Sequence, residues 1–339
     1  MTVTKLARSS YIFLAAALLL VGWLKLTTLV LTILFAFFTI NKLYFFGRKW
    51  LAISLFIVVV GAIGYGFGFF VKEALVTLPQ IAHTSIPMII DYAAKHGVDL
   101  PFTDLQTLKK TLLTSVSDEL RQFLTYLKFA TRELAILIIA FVVSISIFLN
   151  SRFQLGDGPG TRNNLYSGFC DELTKRFGSF YRSFELVMGA QLIISSINTT
   201  LTAIFVLTVG LPYAGVIIVV TFMCGLLPII GNIISNTITV AIAFTVSPKM
   251  AGGALAFLIV IHKLEYFLNS KIIGERIKNP VWLTLIALIL GERLMGIPGM
   301  ILAPVVLHFI KVEASSIKVA MKTPELVEPA PEEYAELKD

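Results

Sequence analysis

The sequence predicts an all-α polytopic membrane protein of about eight membrane segments. Three observations carry that reading. The 339 residues are 56% hydrophobic and only 14% charged, with a mean hydropathy of +0.84, well outside the range of soluble globular domains. Several apolar runs reach the roughly 20 residues that a helix needs to cross a bilayer. The basic residues behind a formal charge of +7 fall in short segments between those runs, a distribution that orients a membrane protein rather than one that forms a nucleic-acid stripe. Cys170 and Cys224 sit in a polar connector and an apolar run, with neither zinc-type nor disulfide-type spacing.

From the start, Lys5 and Arg8 precede an apolar run, Tyr11 to Ile40, interrupted by Lys25. A lysine in mid-bilayer costs about 2.5 to 3.5 kcal/mol on insertion scales, so two short segments joined near Lys25 fit better, with the Lys25 side chain reaching for the surface. No short apolar leader with a small-residue cleavage site stands at the start, and the first run is expected to stay as an anchor. Lys42, Arg48 and Lys49 share the sign of the N-terminus, which places both on the cytoplasmic side. Leu51 to Val71 is one span; Gly61, Gly64, Gly66 and Gly68 within it suit close helix packing. These residues, 1–71, form an N-terminal membrane unit.

Between 72 and 132 charges of both signs appear with Pro79, Pro87 and Pro101. Thr103 to Gln106 is a capping-box pattern, and Leu105, Leu108, Leu112, Val116, Leu120, Phe123 and Leu127 follow at helical spacing. The expectation is an amphipathic helical insertion, extracytoplasmic by span counting, that packs on the membrane unit, on a neighbouring subunit or in the lipid interface. Leu134 to Leu149 crosses back, and the connector to Glu185, rich in Arg and Lys, reads as cytoplasmic; together they make a unit over 133–185. Gly156 to Gly160 within it is a turn and not a phosphate loop, for no Gly-Lys-Ser/Thr follows. A transport core is expected over 186–311. Its first span, Leu186 to Val209, carries Gln191, Ser195, Ser196, Asn198, Thr199, Thr200 and Thr202; such polar density must face protein or water, either as interhelical hydrogen bonds or as the lining of a route.

The next run, Gly210 to Val246, is interrupted by Pro228, Gly231 and Asn232. If it were one helix, the basic connector at 271–278 would land outside; a re-entrant hairpin turning near Pro228 puts it inside. The last run, Val281 to Ile310, is broken at Gly291-Glu-Arg-Leu-Met-Gly-Ile-Pro-Gly299 and reads as a second hairpin. Broken apolar segments in corresponding positions point to a transporter's binding site. Pro212, Pro228, Gly231, Gly291, Gly296, Pro298 and Gly299 are the hinge and hairpin positions. The candidate substrate- or ion-binding residues are Glu292, Arg293, Asn232, Asn236, Glu265, Gln191 and Asn198. Glu292 and Arg293 interrupt an apolar run, so they either work at membrane depth or reach solvated surface. Glu265 shares a helix face with His262, three residues away, but not with Lys263. Asn232 and Asn236, one turn apart, offer amides and oxygens either to a ligand or to the freed backbone of the hairpin. A tail over 312–339, rich in Pro and Glu at its end, is expected to be cytoplasmic and disordered there.

Gly189-Ala-Gln191, Gly210-Leu-Pro-Tyr-Ala214, Leu227-Pro-Ile-Ile-Gly231, Leu264 to Arg276, Asn279-Pro280 and Gly296 to Pro304 together resemble the autoinducer-2 exporter-like family of membrane proteins. Asn269-Ser270 and Gly291-Glu-Arg293 depart from its usual pattern. The resemblance implies secondary transport in the cell membrane of a prokaryote: export of a small polar signal such as autoinducer-2, or sodium(lithium)/proton antiport, coupled to protons or sodium, by a homo-oligomer, with a pentamer as the implied form. Membrane lipid and a small polar solute or monovalent cation are the expected partners. The residues carry no metal or nucleotide motif, and no cofactor is expected. An intramembrane enzyme is disfavoured, since no HExxH or Gly-x-Ser-x-Gly pattern occurs; a non-transporting membrane scaffold is the other alternative.

Overall fold

A computed structural model of the chain describes residues 5–96, 131–150, 164–227, 230–273 and 280–317, and among them all regular structure is helical. Among the described residues five helices are long and apolar enough to span a membrane, and three shorter apolar ones accompany them.

The first apolar run is two helices, as its central lysine requires. Helix α1 (Lys5–Trp23) ends and α2 (Thr27–Leu43) begins around Lys25, which adopts φ 55°. The Leu26 amide donates to Val21 O at 2.9 Å and the Lys25 amide to Gly22 O at 3.1 Å, the paired bonds of a Schellman cap. Lysine takes the left-handed position usually given to glycine, and its side chain is exposed. A short turn, Tyr44–Phe46, leads into α3 (Lys49–Lys95).

Helix α3 does not stop at the end of the expected span. It runs for 47 residues without a break, about 70 Å at the standard rise, so residues 72–95 continue the helix. The prolongation packs: Ile81 joins Val206, Leu211, Ile217 and Ile242 in a buried cluster, the Ser85 hydroxyl donates to Ala241 O at 2.9 Å, and the Tyr92 ring meets Phe244 edge-on at 5.5 Å. The amphipathic helix read over 103–127 lies outside the described residues, as does the turn at 156–160.

Helix α4 (Thr131–Leu149) covers the expected return segment and is one of the shorter apolar helices. Helix α5 (Leu165–Val209) then absorbs much of the expected connector, running 45 residues from an Asn164/Ser167 capping box to Gly210, where φ is 72°. Glu172, Lys175 and Arg176, at three- and four-residue spacings, pair along its first turns and make a charged segment helical where composition suggests a loop. This helix is the spine of the molecule. Its middle buries Phe180, Phe184 and Met188 against Leu14 of α1, Leu31 of α2 and residues of the last helix; its end joins the Ile81 cluster.

Two chain reversals follow. Helices α6 (Ala214–Gly225) and α7 (Ile230–Val246) are not one rod: a side chain at Gly231 would overlap the Cys224 carbonyl, although seven residues of straight helix would separate the two by about 10 Å. Pro228, the expected turn, lies outside the described residues. Helix α8 (Pro248–Ile273) leads to α9 (Val281–Ser316), which reverses at Gly296 (φ 64°, ψ −155°). Gly291 and Gly299 lie backbone to backbone, each leaving no room for a methyl group, where a straight helix would hold them about 12 Å apart. Pro298 falls in the first turn after the reversal, where a missing N–H costs nothing. Met295, at the tip, rests on Gly22 beside the first break.

Candidate functional site

The polar face of α5 makes hydrogen bonds to a neighbouring helix and lines a small polar pocket. Gln191, Ser195, Asn198 and Thr202 stand at i, i+4, i+7 and i+11, one stripe of the helix. Its first two members serve the broken backbone. The last four carbonyls of a helix have no partner within it, and inside a membrane such groups must be satisfied by protein. At the end of α6 all four are accounted for. Ser195 Oγ donates to Phe222 O at 2.8 Å and Gln191 Nε2 to Gly225 O at 2.5 Å. The amides of Leu226 and Leu227 donate to Met223 O at 3.3 Å and Cys224 O at 2.8 Å. Gly225 can sit this close because a Cβ there would collide with Ser195.

The other two members line a pocket. Asn198 and Thr202 face Thr221 of α6, Asn232, Ser235 and Asn236 of α7, and His262 and Glu265 of α8. Four of the residues proposed from sequence thus meet in one place: Asn198, Asn232, Asn236 and Glu265. Asn232 Nδ2 donates to Glu265 Oε2 at 2.6 Å. Ser235 is buried, and its hydroxyl turns back to Asn232 O at 3.3 Å. Asn198 is 6% exposed and its Oδ1, shielded from solvent, has no hydrogen-bond partner. The volume open to the centre of a water-sized body is about 10 Å³, room for a single water. Among the described residues Glu265 is the one carboxylate lining this space. His262 also lines it, as the three-residue spacing predicts, although both His262 and Lys263 are exposed.

Gln191 does not line the pocket; it holds the α6 end one turn away. Glu292 and Arg293 are not brought there either. They lie on the first arm of the α9 hairpin with side chains 51% and 82% exposed, and Arg293 Nε stands 3.7 Å from Glu292 Oε2. Pro212 lies in the short link between Gly210 and Tyr213, two residues of positive φ, so it shapes the entry to α6 and not the pocket. Gly291, Gly296, Pro298 and Gly299 build the second hairpin.

Sequence reasoning missed Thr221 altogether, and it did not pick Ser195 and Thr202 out of the polar residues of their span; the four-residue stripe on α5 was the available signal. It also missed a cluster at the other end of the spine. Arg176 bonds Glu313 of α9 and, at 3.0 Å, Glu172, while its guanidinium stacks 4.4 Å over the Tyr11 ring of α1. Tyr11 donates to the same Glu313 oxygen at 2.6 Å. No periodicity within one segment predicts a contact between residues 302 positions apart.

The AI-2E family transporter profile matches residues 9–317. "Putative transport protein YdbI" of Bacillus subtilis (strain 168) is 32% identical over 140 residues, 40% of this chain and 39% of that protein. "Putative transport protein YueF" of the same organism is 32% identical over 149 residues, 43% of this chain and 40% of that protein. Each match spans about two fifths of the relative's own length. With apolar helices of spanning length and a profile match over nearly all of its residues, the chain belongs to the AI-2E family of membrane transporters.

Proposed function

We propose that the protein is a secondary transporter that exports a small polar metabolite or signal, autoinducer-2-like in size and polarity, with coupling to a proton or sodium ion at Glu265. The observation behind this reading is the Glu265–Asn232 pair inside a polar pocket that α8 forms with the apolar helices α5, α6 and α7. An ionisable group at membrane depth is a functional site by default, and here it accepts from Asn232 of a second helix and shares its pocket with Asn198 of a third. The two reversals, α6–α7 and the halves of α9, act as re-entrant hairpins that enter the bilayer without crossing it. Counted with α1 to α5 and α8, they give about eight membrane segments and leave both termini in the cytoplasm of a prokaryotic cell, as the positive-inside rule asks. A homo-oligomer is the assembly that the resemblance implies.

Sodium(lithium)/proton exchange by the same pocket is the second reading. It is favoured by size, since a space for one water has no room for a metabolite in this conformation.

Purified protein in liposomes distinguishes the two. A labelled solute driven by a proton gradient, with a flux lost in Glu265→Gln, supports export. Collapse of the gradient on adding sodium or lithium alone supports exchange. No flux of either kind in vesicles that hold folded protein overturns both readings.

A further inference from the structure

A second concavity lies on α4. It is a groove of about 530 Å³ lined by Val142, Ile145, Ser146, Leu149 and Asn150. These residues stand at i, i+3, i+4, i+7 and i+8, one stripe of the helix, beside the face on which Phe148 joins Ile40 of α2 and Phe56 of α3 in a buried cluster. The stripe is apolar along most of its length, and Val142 stays 61% exposed. Ser146 and Asn150, both exposed, supply polar groups toward the end of the helix.

At that end the groove meets a basic and aromatic elbow, the link from α2 to α3. The Lys49 ammonium donates to Leu149 O at 2.9 Å, so a cation from the start of α3 stands on a residue that lines the groove. Arg48, its neighbour in sequence, is exposed, and among the described residues no carboxylate lies within ion-pairing distance of it. The elbow turns at Gly47, where φ is 68°. Tyr44 packs edge-on against Phe148 at 5.4 Å, which holds the elbow against the end of α4. Phe45, Phe46 and Trp50 remain exposed around it. Exposed rings beside lysine and arginine are the composition of a membrane–water interface.

One class of occupant matches both halves of this surface, an amphiphile with an anionic head. A guanidinium presents a planar fork that suits phosphate oxygens, and the apolar stripe next to it suits hydrocarbon. A water molecule takes roughly 30 Å³ of the liquid, so a free inorganic phosphate would fill only a small part of about 530 Å³. An acidic protein segment would satisfy Arg48 but not the stripe, which belongs to an apolar helix.

We propose that the elbow between α2 and α3 and the end of α4 form a binding site for an anionic phospholipid, with the phosphate held by Arg48 and Lys49 and an acyl chain laid along the α4 groove. The site depends on the protein's place in a membrane and not on what it transports. Bound lipid touches both α3 and α4, so it stabilises the folded chain as its occupancy rises.

The test uses full-length protein in neutral detergent, with dioleoyl phosphatidylglycerol, dioleoyl phosphatidylcholine and soluble glycerol 3-phosphate as probes. Two quantities are read: phospholipid retained on the protein in native mass spectrometry, and melting temperature as each probe is added. Phosphatidylglycerol should be retained about fivefold better than phosphatidylcholine, the usual worth of one basic residue at an anionic lipid surface, and should raise the melting temperature at lower concentration. Glycerol 3-phosphate should not raise it. Arg48→Glu should bring the two lipids close to parity, and Ser146→Trp, which fills the groove from an exposed position, should weaken retention of phosphatidylglycerol several-fold. Both variants should melt like the parent when no lipid is added, which separates loss of the site from loss of the fold. Equal retention of the two lipids by the parent, stabilisation by glycerol 3-phosphate equal to that by phosphatidylglycerol, or a preference that survives both substitutions overturns the proposal. So does a dimer in phosphatidylcholine nanodiscs that Arg48→Glu dissociates, because a second copy of the chain is then what covers this face.

Discussion

At Gly231 one methyl group separates a closed reversal from an open one. The Cys224 carbonyl occupies the place a Cβ would take, and the atom in the way is backbone, which cannot swing aside as a side chain does. Gly231→Ala should therefore lower stability by about 1 to 3 kcal/mol, the usual range for overpacking, read as a drop in melting temperature in detergent. Gly215→Ala, on α6 with nothing within 4 Å of the added carbon, should change it little. The two carboxylates that sequence reading placed at the site separate in the same way. Glu265 accepts from Asn232 inside the pocket, whereas Glu292 is half exposed beside Arg293. Glu265→Gln should cut coupled flux at least tenfold, while Glu292→Gln should keep it within about twofold. Equal losses in the two variants would move the site to the α9 hairpin.

Among the helices, α5 carries the heaviest duty, because its two halves hold different partners. The membrane half fastens the α6 end and lines the pocket; the first half gathers α1 and α9 around Arg176. The side chains of Arg176 and Glu313 are only 17% and 10% exposed, so neither charge can be freed to water when the other is lost. Breaking such a pair by removing one partner costs about 3 to 5 kcal/mol, while replacing both by apolar groups of similar volume is often neutral. Arg176→Met should lower the melting temperature strongly, and the double variant Arg176→Met with Glu313→Leu should recover most of the loss. That recovery distinguishes a buried pair from a general intolerance of change at these positions. The charged segment around Arg176 read as a connector from composition because its cations suggest a cytoplasmic loop. The i, i+3 and i, i+4 pairs to Glu172 and the capping box at Asn164 are what make it helix, and both are local patterns present in the sequence.

For the molecule as a whole, the side of the membrane on which each link lies is the testable statement. Single cysteines at Val98 and Lys278, in a background lacking Cys170 and Cys224, should differ towards a membrane-impermeant thiol reagent: labelling from outside at 98, and labelling at 278 only after permeabilisation. Labelling of both from outside would mean that 214–246 crosses the bilayer in full. The charge parity that predicts this outcome needs no coordinates. The reversals themselves were legible too, from Gly231 and from Gly291 to Gly299, because a helix cannot be regular through such residues in an apolar run. The prolongation of α3 through 95 was not legible. Its mixed charges and prolines resemble those of a separate insertion, and what keeps it helical is contact with α7 through Ile81, Ser85 and Tyr92.

The sequence by itself determined the membrane class, the break at Lys25, the two interrupted runs and the polar residues that had to be turned away from lipid. These follow from the cost of putting charge and unpaired backbone into hydrocarbon, a cost each segment carries on its own. Only the tertiary structure decided which polar residues meet. Asn198, Asn232 and Glu265 lie on three helices, 34 and 33 positions apart, and no local period links them. Helix packing brought those three together, set Gln191 and Ser195 against the end of α6, and left Glu292 outside.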